Sequence, residues 1–287
     1  MASVQATPTA EVPPPQAPPS PITPRRNTGP RKLLTGLGWI AIRLYPVVVI
    51  IGLWQALVSL GLVSPFTMPA PARVWDVAVA QLRDGTLQRT TWTTLSRIIV
   101  AWSLAVVVGV VVGILIGRVQ TFRRMFRPIV AFFFPTPKVA IYPALVILFG
   151  LGAASKIALG FAEAVFPILL ATSAAASQID SRLLWTADNF ETPRLRKMST
   201  VVLPAALPGV MTGARIGLVG AIIGVFMGEL IVGSDGLGHT MAAAYRRLQT
   251  GDMYVAVAVV SLIGFTLDRL FLAARRRLLR WSPEVDH

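Results

Sequence analysis

The sequence predicts an all-α membrane protein with six transmembrane helices, both termini cytosolic, and a charged cytosolic loop of short helices between the fourth and fifth spans. Three observations lead there. Apolar residue types make up 54% of the 287 residues and charged types only 14%, too hydrophobic a balance for a soluble domain of this size. Six apolar runs approach or exceed the length needed to cross a hydrocarbon layer, at about 37–61, 94–117, 128–150, 155–177, 207–232 and 253–274. Basic residues alternate from side to side: sixteen fall in the tails and even-numbered loops, at 25–32, 118–127, 182–197 and 275–280, against six in the alternating set, Arg73, Arg83, Arg89, Lys156, Arg246 and Arg247. This bias also selects the count, because five or seven spans would send one terminal basic cluster to the wrong side.

Each segment has its own reason. Residues 1–34 hold too much proline and too little apolar content to pack, and read as a disordered Pro-rich cytosolic tail. Arg25-Arg26 lacks the short apolar stretch and cleavage site of an export signal. After the first span, SPFTMPAPARVWDVAVAQLRDG opens with a proline-rich turn and continues as a short outer amphipathic helix marked by Val74, Val77, Ala78 and Leu82. The second span carries Gly109, Gly113 and Gly117. The third contains Pro135, Pro137 and Pro143, so it is kinked or broken where protein or water covers the freed carbonyls. On the fifth span Gly209, Gly213, Gly217, Gly220, Gly224 and Gly228 fall within an arc of about 100°, a smooth stripe for close helix packing or for sliding during gating.

Four charges inside or at the ends of spans are candidates for the translocation path. Lys138 and Glu163 approach mid-depth, where a charge demands an ion pair, a substrate contact or water. Arg215 and Glu229 share one side of the fifth span but lie about 21 Å apart along its axis, which suits either snorkelling at the two boundaries or a role at gates. Other chemistries are poorly served. The net charge of +14 punctuates apolar runs rather than forming a face, which argues against nucleic acid. With no cysteine and only His239 and His287, thiolate and multi-histidine metal sites are excluded, and no cofactor is expected.

The loop between the fourth and fifth spans, LLWTADNFETPRLRKMSTVVLPAALP, reads as helix, corner, helix, with Pro193 in the first turn of the second helix. Its charged residues make a solvated face, and Leu184, Ala187, Phe190, Leu195, Met198 and Val202 form a face that rests on the bundle. VVLPAALPGVMTGARIGL in this region resembles the cytosolic signature of binding-protein-dependent ABC transporter permeases: Glu-Ala-Ala, three residues, Gly, nine residues, Ile-x-Leu-Pro. Anchored on Leu203 and Pro204, the Ile position is Val201, the Gly position Glu191, and the Glu-Ala-Ala positions Trp185, Thr186 and Ala187. The second half of the signature is kept and the first half largely lost. LWQALVSLGLVSPFTMPAPARVW, PTPKVAIYPALVILFGLGAASK, FPILLATSAAASQID and GELIVGSDGLGHTM are similar to stretches of the nitrate, sulfonate and taurine branch, in the same order.

The resemblance, over about residues 45–275, implies a six-span permease domain at 35–276, with coupling helices at about 181–200 and a cytosolic tail at 277–287. It implies an inner-membrane subunit that works as a pair in the lipid bilayer, as a homodimer, with two cytosolic ABC ATPase subunits and an extracytoplasmic solute-binding protein. A small solute such as a sulfonate, nitrate or taurine would pass inward. The chain has no G-x-x-x-x-G-K-[ST] phosphate loop, so ATP hydrolysis falls to a partner and the chain itself is not expected to be an enzyme. The rival readings are a gradient-driven secondary transporter or channel, with Lys138 and Glu163 as coupling charges, and a permease-like scaffold that no longer transports.

Overall fold

The computed structural model describes residues 36–280, with side chains from Tyr45 onward. The readings of residues 1–34 as a tail and of Arg25-Arg26, and the end of the C-terminal tail, lie outside the described residues. The chain divides after Ile50 into two units, 1–50 and 51–287. The described part of the first is the opening of helix α1 (Gly36–Ser59), and the second holds every other helix.

The described residues form helices only. After α1 come α2 (Pro71–Arg83), α3 (Thr86–Arg118), α4 (Gln120–Phe133) and, past a 3₁₀ turn at Lys138–Ile141, α5 (Tyr142–Phe149). Then follow α6 (Ala153–Ser177), α7 (Ser181–Asn189), α8 (Arg194–Lys197), α9 (Leu203–Val232), α10 (Leu237–Arg246) and α11 (Thr250–Leu278). Among the described residues four segments are long and apolar enough to cross a membrane: α3, α6, the continuous run Arg194–Val232, and α11. The number rises to five when α4 and the stretch Lys138–Phe149 count as one span; the apolar described part of α1, Tyr45–Ser59, is shorter.

That bent pair is the proline-rich third segment, expected to be kinked or broken, and it is sharply bent. Its two halves meet at 88° across Phe134–Pro137, where Pro135 and Pro137 cannot donate to a helical ladder. Side chains compensate the exposed carbonyls: the Thr136 hydroxyl donates to Phe132 O (2.8 Å) and the Lys138 amine to Phe134 O (2.8 Å). A second irregularity precedes α9, where Met198–Val202 widens into a π turn. Pro204 accounts for it, since its ring crowds the carbonyl four residues earlier and it has no amide to offer.

The core is a three-helix sandwich, with α6 between α3 and α9. On α3, Gly109, Gly113 and Gly117 lie against Ile168, Thr172 and Ala176 of α6. On α9, Gly209, Gly213, Gly217, Gly220, Gly224 and Gly228 all face α6, from Ala175 at one end to Lys156 at the other. At Gly224 the approach is backbone on backbone: a β-carbon there would lie 2.7 Å from Gly160 Cα. Where lipid tails are as apolar as side chains, this proximity supplies dispersion contact that hydrophobic burial does not. α2 rests on α11 and α3 through Val74, Val77 and Ala78, while Leu82 is exposed rather than packed. α11 runs on to Leu278, so residues 277 and 278 are helical.

Candidate functional site

The segment between α6 and α9 builds an open groove. Asp180 starts α7 by accepting the Arg182 amide (2.9 Å), Thr192 and Pro193 turn the corner, and α8 leads through the π turn into α9. Lys197 is tied back to Asp188 by an ion pair of 2.6 Å. The groove, of about 830 Å³, is lined by Thr186, Ala187, Phe190, Thr200, Val201 and Pro204 among others. Ala187 is buried, Trp185 projects outward, and Leu203, next to the groove's Pro204, is exposed. The expected bundle-facing set is corrected at two places: Leu184, Ala187 and Val202 are buried, whereas Phe190 and Leu195 are 80% and 86% exposed. With Leu183 and Trp185 they are exposed apolar side chains on and beside the two short helices. Glu191 sits at φ 49°, the left-handed conformation that glycine tolerates and other residues resist.

A second constellation lies where α3, α9 and α10 meet. Glu229 is completely buried and accepts from Arg97 Nη1 (2.7 Å), the Thr94 hydroxyl (2.7 Å) and the Gly238 amide (3.1 Å). Snorkelling at a boundary is therefore the wrong account of Glu229: its carboxylate is saturated with donors inside the protein. Thr94 also accepts the Leu237 amide (2.9 Å), so Thr94 and Glu229 together cap the opening turn of α10. Gly236, at φ 94°, lets the backbone pass directly over the Glu229 carboxylate, where a β-carbon has no room. Arg97 turns its other nitrogen to Asp235, with both oxygens at 2.7 Å. Burial on its own would raise the Asp235 carboxyl, but the hydrogen bonds and charge of Arg97 outweigh it and hold Asp235 below the usual carboxylate range.

The remaining charges are spread out. Lys138 and Glu163 form no ion pair within 4 Å; Lys138 instead lies over the rings of Phe134 and Phe166. A structural Lys138–Glu163 pair is thus set aside. Arg215 pairs with Asp268 of α11 at 2.7 Å on a part-exposed face, well away from Glu229. Lys156, which the charge bias assigns to a loop, is fully buried in the first turn of α6, where its ammonium donates to the carbonyls of Leu151 (2.5 Å) and Gly152 (3.0 Å). Arg97, Asp235 and Asp268 are partners that sequence reasoning missed. Arg97 carried a usable signal, an isolated arginine inside a span-length run, which calls for a buried acid.

Helices alone among the described residues, several of them long and apolar enough to span a membrane and close-packed through glycine, define a multi-pass helical membrane protein. The chain belongs to the family of binding-protein-dependent transport system inner membrane components, whose family model matches residues 105–280. It is similar to the taurine transport system permease protein TauC of Escherichia coli, with 32% identity over 83% of this chain and 88% of that protein. The putative aliphatic sulfonates transport permease protein SsuC of Bacillus subtilis is 28% identical over 87% of this chain and 90% of its own length. The bicarbonate transport system permease protein CmpB of Synechococcus elongatus is 27% identical over 89% and 95%. Among solved structures, the inward-facing MetNI methionine ABC transporter has a chain that matches with a TM-score of 0.53 and 24% identity, over 66% of this chain and 95% of that one, a likeness of fold. The chain is thus the permease component of an ABC importer, a multi-pass protein of the inner membrane whose ATP hydrolysis falls to a separate subunit.

Proposed function

We propose that two copies of this chain form the translocation path of an importer that receives a small oxyanion or aminosulfonate from an extracytoplasmic binding protein. Residues 35–276 are its permease domain, crossing the membrane six times with the flanking segments 1–34 and 277–287 in the cytosol. The segment 181–200 docks a cytosolic ATPase, with Trp185, Thr186, Ala187, Glu191, Val201, Leu203 and Pro204 as the coupling positions. Lys138, Glu163 and Arg215 are path residues, Glu229 acts through Arg97 on the α9–α10 corner, and the α9 glycine stripe keeps α6 and α9 in register. The observation that carries the reading is the groove between α7 and the start of α9, an open and largely apolar concavity on a sequence that has no phosphate loop. The substrate range rests on relatives named for taurine, aliphatic sulfonates and bicarbonate.

The test is uptake into proteoliposomes holding this chain, its ATPase and its binding protein, with labelled taurine, a short alkanesulfonate and bicarbonate as probes. ATP-dependent accumulation of at least one probe, unchanged by an uncoupler at constant ATP, is expected. Accumulation that ignores ATP and collapses with the uncoupler would overturn the importer reading in favour of a gradient-driven carrier.

A further inference from the structure

Between α4 and α6, beside the last turn of α3, lies a second groove of about 550 Å³. One wall is a single face of α4, where Arg123, Arg127, Ala131 and Phe134 recur at helical spacing. Four residues further, beyond the bend, Lys138 is held against Phe134 O. The opposite wall is α6, which contributes Ser173 and Ser177 one turn apart. No carboxylate lines this groove, and none of the ion pairs among the described residues involves Arg123, Arg127 or Lys138. Arg123 is fixed in place from below: its Nη2 donates to Gly117 O (2.6 Å) and its Nε to Ile116 O (3.2 Å), the free carbonyls at the end of α3. A bias of basic residues toward one side of the membrane explains why arginines collect at this level, but not why two of them share a groove with hydroxyls and without an acid.

From this geometry we infer that the α4–α6 groove is an anion-binding vestibule for a small solute with a sulfonate or carboxylate head and a short apolar tail. Arg127 and Arg123 contact the oxygens, since a guanidinium offers paired donors that match an oxyanion. Ser173 adds a neutral donor from the facing helix, while the Ser177 hydroxyl donates to Ala174 O (2.8 Å) and presents its oxygen at the rim. Phe134 and Leu169 form the apolar floor for the tail. Lys138, at the α5 end, is the next cation along the same line. The vestibule's purpose rests on the permease reading, but the groove's charge and its access to water are properties of this chain that need no transport to observe.

The chain has no cysteine, so a single introduced thiol is a clean reporter. Ser173→Cys is placed in the complex with its ATPase in nanodiscs, where both membrane faces are open. Its rate of modification is compared for sulfonatoethyl methanethiosulfonate, an anion, and trimethylammonioethyl methanethiosulfonate, a cation, each normalised to the rate with free 2-mercaptoethanol. The expected result is a normalised preference for the anion of about tenfold or more, as clefts of one charge sign produce. Arg123→Gln with Arg127→Gln returns the ratio to that of the free thiol, and Arg123→Lys with Arg127→Lys keeps it. A ratio equal to the free thiol in Ser173→Cys, a ratio indifferent to the arginines, or a thiol closed to both reagents overturns the proposal; the last is what a lipid chain or a second subunit filling the groove would give. If Ser173→Cys does not assemble, Ser177→Cys is read in the same way. Uptake measured on the same samples judges the importer reading separately, because labelling proceeds whether or not ATP drives transport.

Discussion

Glu191 turns the corner between α7 and α8 with its backbone at φ 49°, at the position where the family signature, aligned on Leu203-Pro204, has glycine. A left-handed conformation costs a residue with a β-carbon about 1 kcal/mol or more, so the corner is strained in this chain. Glu191→Gly is expected to raise the thermal midpoint of the purified protein, and Glu191→Val, with a branched β-carbon, to lower it. Equal midpoints for all three would mean that the corner relaxes away from this conformation. Asp235 is the opposite kind of residue: nothing in SDGLG marks it, and its role appears only because Arg97 reaches it from α3.

At the scale of elements, the Arg97–Glu229–Asp235 cluster ties α3, the end of α9 and the start of α10 together. A buried pair is a weak source of net stability, but its loss from one side is severe because the remaining charge stays desolvated. Arg97→Met is expected to destabilise the protein by about 3–5 kcal/mol, measured by thermal or denaturant unfolding in detergent. Adding Glu229→Leu should recover most of that loss, since Asp235 is half-exposed and can be hydrated. A double variant no better than the single one would show that Glu229 matters mainly as the cap of α10, through Thr94 and Gly238, and not as the partner of Arg97.

At the scale of the whole molecule, the chain presents two uncovered grooves on a tightly packed core. The core is α3, α6 and α9, held by glycine faces on two of them, and its packing leaves α7 and α8 projecting with Phe190 and Leu195 in the open. Phe190→Ser with Leu195→Ser is expected to leave the thermal midpoint of the isolated permease nearly unchanged, as exposed sites do. Co-purification of the ATPase should fall severalfold. Leu184→Ser, at a buried position of the same helix, should instead lower the midpoint. If the exposed pair disturbs stability and spares ATPase retention, this surface is not the docking face.

The class of the protein was legible in the chain alone: runs of apolar residues, basic residues at their borders, a glycine repeat matching the helical period, and a signature recognisable from its second half. These are local or periodic properties, and they survive without knowledge of what touches what. The partners were not legible. Which acid meets Arg97, whether Lys138 meets Glu163, which apolar residues of the α7–α8 corner are covered, and that the proline-broken segment bends through 88° all depend on the packing of helices against one another. Contacts of that kind follow from how close glycine allows the backbones to come and from where the unpaired donors and acceptors of each helix end must go.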